Sequence, residues 1–117
     1  MKRYIGDIFW VKMDKETGNT HSESMAKIYR AILDDNIFTI DHKNPENIPD
    51  SQIKLRSKDG FKFEGSAKLI DQIKHSAVVN LSYYLNRDKA LLMGNWKEDQ
   101  IEYLCIIKLE EVQSFQD

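Results

Sequence analysis

The chain carries one cysteine, so no internal disulfide can form, and the sequence reads as one suited to a reducing compartment. Its two prolines both fall in Asn44-Pro45-Glu46-Asn47-Ile48-Pro49-Asp50, which reads as a loop. No apolar stretch approaches the ~20 residues of a membrane-spanning helix, so no membrane partner is expected. Asp7 and Lys12 interrupt the apolar run behind the basic start, and no secretory core of about 7–15 apolar residues fits there. The expected location is cytoplasmic. A basic excess is missing too: 17 Lys and Arg face 19 Asp and Glu, a net charge of −2. A dominant phosphate-binding role is thereby disfavoured, and nucleic acid is not an expected partner. Neither a glycine-rich dinucleotide fingerprint nor a phosphate loop occurs.

What is there describes one soluble globular domain over residues 1–117, with 41% hydrophobic and 31% charged residues. The clearest pattern lies in the C-terminal half. Apolar or alternating runs recur at Phe61 to Leu69, Ala77 to Leu85, Ala90 to Trp96 and Ile101 to Leu109. Short polar segments separate them: Asp71 to Ser76, Asn86-Arg87-Asp88-Lys89 and Lys97-Glu98-Asp99-Gln100. Such spacing reads as an antiparallel meander, because parallel pairing needs longer crossovers. Upstream, Ile53 and Leu55 alternate with Lys54 and Arg56, and Lys58-Asp59-Gly60 turns that strand into the next. Phe38 and Ile40 alternate with Thr39 and Asp41, and Ile8-Phe9-Trp10-Val11 is apolar on both faces. The expected fold is mainly β, a single antiparallel meander closing into a small barrel of about 7–8 strands.

Residues 20–34 admit two readings. Met25, Ile28, Tyr29, Ile32 and Leu33 fall on an amphipathic helical stripe, with Thr20 and Glu23 at capping-box spacing and Asn36 as a stop. Alternatively, Ile28 to Leu33 and Ile37 to Ile40 form a hairpin around Asp34-Asp35-Asn36, with Arg30 between Ile28 and Ile32 on one face. A helix would answer a need, since the last three strands are apolar on both sides. Val78, Tyr84, Leu91, Met93, Leu104 and Ile106 lie opposite the inward faces, and strands covered twice need two coverings. The second is a helix or another subunit, and left bare it marks a contact site.

Three segments carry a resemblance: Phe61-Lys62-Phe63-Glu64-Gly65-Ser66-Ala67, Asn80-Leu81-Ser82-Tyr83-Tyr84 and Leu92-Met93-Gly94-Asn95-Trp96. Over about residues 51–110 their strand grammar resembles that of calycin-type barrels, the group of lipocalins, avidin-like proteins and small nucleotide-sensing barrels of bacterial antiphage systems. The Gly-x-Trp that those proteins carry near the N-terminus is absent, and Gly6-Asp7-Ile8-Phe9-Trp10 is a loose stand-in for it. The resemblance implies small-ligand binding inside a barrel, without catalysis.

The residues themselves give no positive case for an enzyme, and no catalytic residue is assigned. His21, His42 and His75 share no metal-ligand spacing, and Cys105 has no partner cysteine, so neither a metal site nor a cofactor is expected. Cys105 sits in apolar Tyr103-Leu104-Cys105-Ile106-Ile107, a core setting rather than that of a nucleophile. Asp41 and His42 are adjacent, and strand neighbours point to opposite faces, so they form no dyad. Lys54, Arg56, Lys62 and Lys68 share a wet face that Glu64 interrupts, which reads as ordinary solvated charge. The polar-tipped residues suited to lining a ligand pocket are Trp10, Arg30, Asn80, Tyr84, Trp96 and Tyr103, although core packing is the better account of such aromatics. Gly94, on the same strand face as Trp96, marks a bend or close approach that can leave room beside the indole. Two functional expectations follow. One is a non-enzymatic barrel that binds or senses a small molecule. The other is a protein-interaction module (inhibitor, immunity or assembly protein, or a homodimer) using the outer apolar face of the C-terminal strands.

Overall fold

A computed structural model describes residues 1–13 and 20–115, with side chains for 1–12 and 24–115. Eight strands follow in order: β1 (Lys2–Met13), β2 (Thr20–Asp34), β3 (Ile37–His42), β4 (Ser51–Ser57), β5 (Lys62–Leu69), β6 (Ala77–Asn86), β7 (Lys89–Glu98) and β8 (Ile101–Val112). Each pairs antiparallel with the next, and β8 pairs with β1 to close the barrel. Each strand thus has a neighbour on both sides, although β2 is paired to β3 only from Ile28 onward. The expected meander barrel is what forms.

Tight turns make this topology possible. Asp35 and Asn36 join β2 to β3 with φ of 51° and 60°, and Asp99 and Gln100 join β7 to β8 with 48° and 70°. Two successive left-handed residues twist a hairpin as its strands require, and Asx residues tolerate that conformation best. Between β4 and β5, Asp59 Oδ1 accepts from the amides of Phe61 (2.8 Å) and Lys62 (2.9 Å), and Gly60 supplies a φ of 79°.

Residues 20–34 are strand, which corrects the helical alternative; among the described residues there is no helix. A β-bulge explains the misleading pattern. Ile28 pairs with His42 but Arg30 with Asp41, so β2 spends two residues against one of β3. Ahead of the bulge Ala26 and Ile28 face inward; beyond it Ala31 and Leu33 do. The phase shift places inward residues Ile28 and Ala31 three apart, a helix-like spacing produced by a strand. It also turns Arg30 outward rather than between Ile28 and a neighbour on the inner face. The side chains of Thr20, His21 and Glu23, to which capping and histidine readings were attached, lie outside the described residues.

Alternation then fills the interior. Ile8, Ile28, Ile40, Ile53, Leu55, Val79, Leu92, Cys105 and Ile107 are fully buried across its middle. One end is plugged by aromatics: Phe38 meets Phe63, Tyr83 and Tyr4 at centroid distances of 5.3, 5.5 and 6.0 Å. The hydroxyls of Tyr4 and Tyr83 hydrogen-bond at 2.9 Å, which satisfies both polar tips within the plug. Burial and this bond raise the Tyr4 pKa far above that of an ordinary phenol. Gly94 marks a close approach of strands rather than a gap. A Cβ there would strike the Asn80 carbonyl oxygen on β6, so β7 bends tightly against its neighbour at that point.

Candidate functional site

At the end opposite the aromatic plug, the interior opens into a cavity of about 680 Å³. That volume lies within the usual range for small-molecule sites, roughly 300–1,000 Å³. Trp10 from β1, Trp96 from β7 and Tyr103 from β8 form one side. Trp96 and Tyr103 are direct cross-strand partners, and Trp10 pairs with Cys105 two residues further along β8. His42 and Ser51, partnered across β3 and β4, form the polar part of the floor. Asn44, Pro45 and Ile48 of the β3–β4 loop overhang the opening.

That loop is pinned from several directions. Asn44 Nδ2 donates to Pro49 O and to Ser51 Oγ, both at 2.7 Å. Asp50 accepts from Tyr29 Oη at 2.9 Å and pairs with Lys43 Nζ at 3.3 Å, while the Lys43 ammonium lies 4.6 Å from the Tyr29 ring centroid. Asn44 thereby ties the rim to Ser51 on the floor. A preformed rim lowers the ordering cost of binding.

Three rings meet edge to face. The Trp10 centroid lies 5.2 Å from that of His42 and 5.4 Å from that of Trp96, with interplanar angles of 64° and 79°. The Trp96 Nε1–H donates to Glu98 Oε1 at 3.3 Å. His42 is 2% exposed, and its Nδ1 lies 3.1 Å from the Lys43 carbonyl. A carbonyl only accepts, so Nδ1 carries the proton and Nε2 of the neutral ring presents a lone pair. Burial lowers the His42 pKa below 6.5, outweighing the Lys43 carbonyl and the carboxylates of Asp50 and Asp41. Two buried polar atoms have no hydrogen-bond partner among the described residues: Trp10 Nε1 and His42 Nε2. Both belong to cavity-lining residues and to rings in mutual contact. Buried polar atoms are nearly always satisfied, so two orphans in residues that line one cavity are a functional signal.

Of the six residues expected at a pocket, Trp10, Trp96 and Tyr103 come together here and three do not. Arg30 faces outward from β2, with its guanidinium 4.9 Å from the Phe115 ring centroid. Tyr84 is exposed on β6 and meets Phe61 edge-on at 5.4 Å. Asn80 points outward into a separate groove of about 920 Å³ on the barrel's outside, lined by Arg56, Lys58, Asp59, Lys62 and Glu64. The charged side chains of that groove are solvated. His42 and Ser51 were not foreseen. Their signal was nonetheless present, since His42 continues the inward phase of Phe38 and Ile40, and Ser51 that of Ile53 and Leu55. Cys105 lies in the core, where burial pushes its thiol pKa up to about 12. It is no nucleophile in this setting.

No protein-family model matches the chain, and no curated protein matches it. What the site can do follows from its geometry: an aromatic wall, a neutral imidazole, an indole N–H and a pinned rim.

Proposed function

We propose that the barrel is a non-enzymatic binding or sensing protein for a small molecule, held in the cavity between Trp10, Trp96, Tyr103, His42 and Ser51. The observation that carries this reading is the coincidence of that cavity with both orphaned polar atoms. Largely apolar walls with a few placed polar groups are the usual make-up of ligand sites. The resemblance to calycin-type barrels points the same way, as does the contrast between one plugged and one open end. Titration of the tryptophan emission with small aromatic compounds tests the reading. Saturable change in the native protein, lost in Trp96→Ala while the β-type circular dichroism persists, is the expected result. No change with any compound refutes it.

A second reading, self-association, has its own observation. Met93, Ile106, Phe9 and Met25 are consecutive cross-strand partners on the outside of β7, β8, β1 and β2, flanked by the paired Leu104 and Val11. Such a contiguous outward apolar row fits a second copy of the chain stacked on this face. Sedimentation equilibrium distinguishes the two. A dimer dissociated by Ile106→Glu supports self-association, and a monomer at all concentrations excludes it.

A further inference from the structure

Taking the cavity as a small-molecule site, we infer that its ligand is a planar heterocycle whose edge carries an N–H beside a C=O, as in an aromatic lactam. The inference rests on the pairing of the two orphaned atoms. Trp10 Nε1–H can only donate. His42 Nε2 can only accept, because Nδ1–H is committed to the Lys43 carbonyl at 3.1 Å. The rings that bear these atoms are in contact, with centroids 5.2 Å apart. The site therefore offers one donor and one acceptor on two rings in contact, and its complement is an edge that carries one acceptor and one donor.

Purely anionic or purely cationic edges leave part of this pair unmet. A carboxylate satisfies Trp10 but sets oxygen lone pairs against the His42 lone pair. An ammonium group satisfies His42 and leaves the indole N–H without an acceptor. A lactam satisfies both at once. Flatness follows from the walls: Trp10 and Trp96 stand nearly perpendicular, at 79°, with Tyr103 beside Trp96 across the ladder, so a ring can lie on one face while another indole meets its edge. Both orphaned atoms are closed to bulk solvent, so an edge that reaches them has to displace the half-buried Trp10 indole. Trp10 emission reports that event directly.

The test compares three matched flat compounds against the native protein: 2-quinolone, its N-methyl derivative and 2-methoxyquinoline. The first carries N–H and C=O, the second lacks the donor, and the third lacks both. Calorimetric titration is expected to show 2-quinolone binding about tenfold or more tightly than either relative, because each leaves a buried polar group unpaired. In His42→Phe, which keeps a ring in place, the preference over N-methylquinolone is expected to vanish. Equal binding of all three by the native protein overturns the lactam inference while leaving the cavity as a ligand site. Tighter binding of 2-naphthol than of 2-quinolone also overturns it, since a single hydroxyl then bridges the pair. Binding of none of these compounds, nor of any in the wider aromatic series, refutes the small-molecule reading itself.

Discussion

His42 makes stability depend on pH in a direction fixed by its surroundings. In the folded barrel the ring is neutral, its Nδ1–H bonded to Lys43 O and its Nε2 buried, and burial holds its pKa below 6.5. In the unfolded chain the same ring takes up a proton near its ordinary value, about 6.5. Between those two values the unfolded state binds more protons than the folded one. Stability therefore falls as pH drops through the unfolded value, and stops falling once the folded ring titrates as well. Well above the unfolded value the group contributes no slope. One group alters stability by at most about 1.4 kcal/mol per pH unit. Against the ~5–15 kcal/mol typical of a domain, a single unit below the unfolded pKa removes a measurable share. Urea denaturation at intervals from about pH 8 to about pH 5 measures it, with His42→Gln as the reference that cannot titrate. That range avoids the acid limb, where Asp59 loses the stability its carboxylate draws from the Lys62 and Phe61 amides. The native protein is expected to lose stability across this range and His42→Gln to stay flatter. Identical slopes would show that His42 is not held neutral, and the lone pair assigned to Nε2 would go with it.

Cys105 should resist thiol reagents in the native state, because it is fully buried and its thiol pKa is pushed up to about 12; rapid stoichiometric labelling without denaturant contradicts the register of β8. Gly94→Ala should destabilise by about 1–3 kcal/mol through overpacking against β6, whereas removing a strand glycine ordinarily helps, so a stabilised variant refutes the close approach. Met25 and Ile28 share a stripe in a helix but lie on opposite sides of β2. Ile28→Asp, at a position with no exposure, should unfold the protein, and Met25→Asp, at one 61% exposed, should shift stability by less than about 0.5 kcal/mol; equal effects contradict the strand.

The barrel was legible because period-two alternation persists through the strands from Ile37 onward, with short polar turns between most of them. The first hairpin was not, for a local reason. The bulge at Tyr29 and Arg30 breaks the alternation in β2 and imitates a helical stripe, and no single-residue propensity at that point announces a bulge. Half of the expected pocket residues reached the cavity, and strand phase separates them: Trp10, Trp96 and Tyr103 continue inward-facing series, whereas Asn80 and Tyr84 stand one residue out of phase with Val79, Leu81 and Tyr83. Arg30 left the inner face through the bulge. His42 and Ser51 are readable in phase, since they continue the inward series of Phe38 and Ile40 and of Ile53 and Leu55. Which end of a barrel opens is set by how aromatic plugs and loops fill it. Phe38, Phe63, Tyr4 and Tyr83 close one end through contacts among four strands that sequence order alone does not rank.

Nitrogen–proton correlation spectra of the labelled protein, recorded during titration with 2-quinolone, test the binding reading most directly. The Trp10 indole N–H and the amides of His42, Ser51, Trp96 and Tyr103 are expected to shift together and saturate with one affinity. Shifts confined to the outward-facing Phe9, Met93 and Ile106, or no shifts with this compound or any other flat heterocycle, would contradict it.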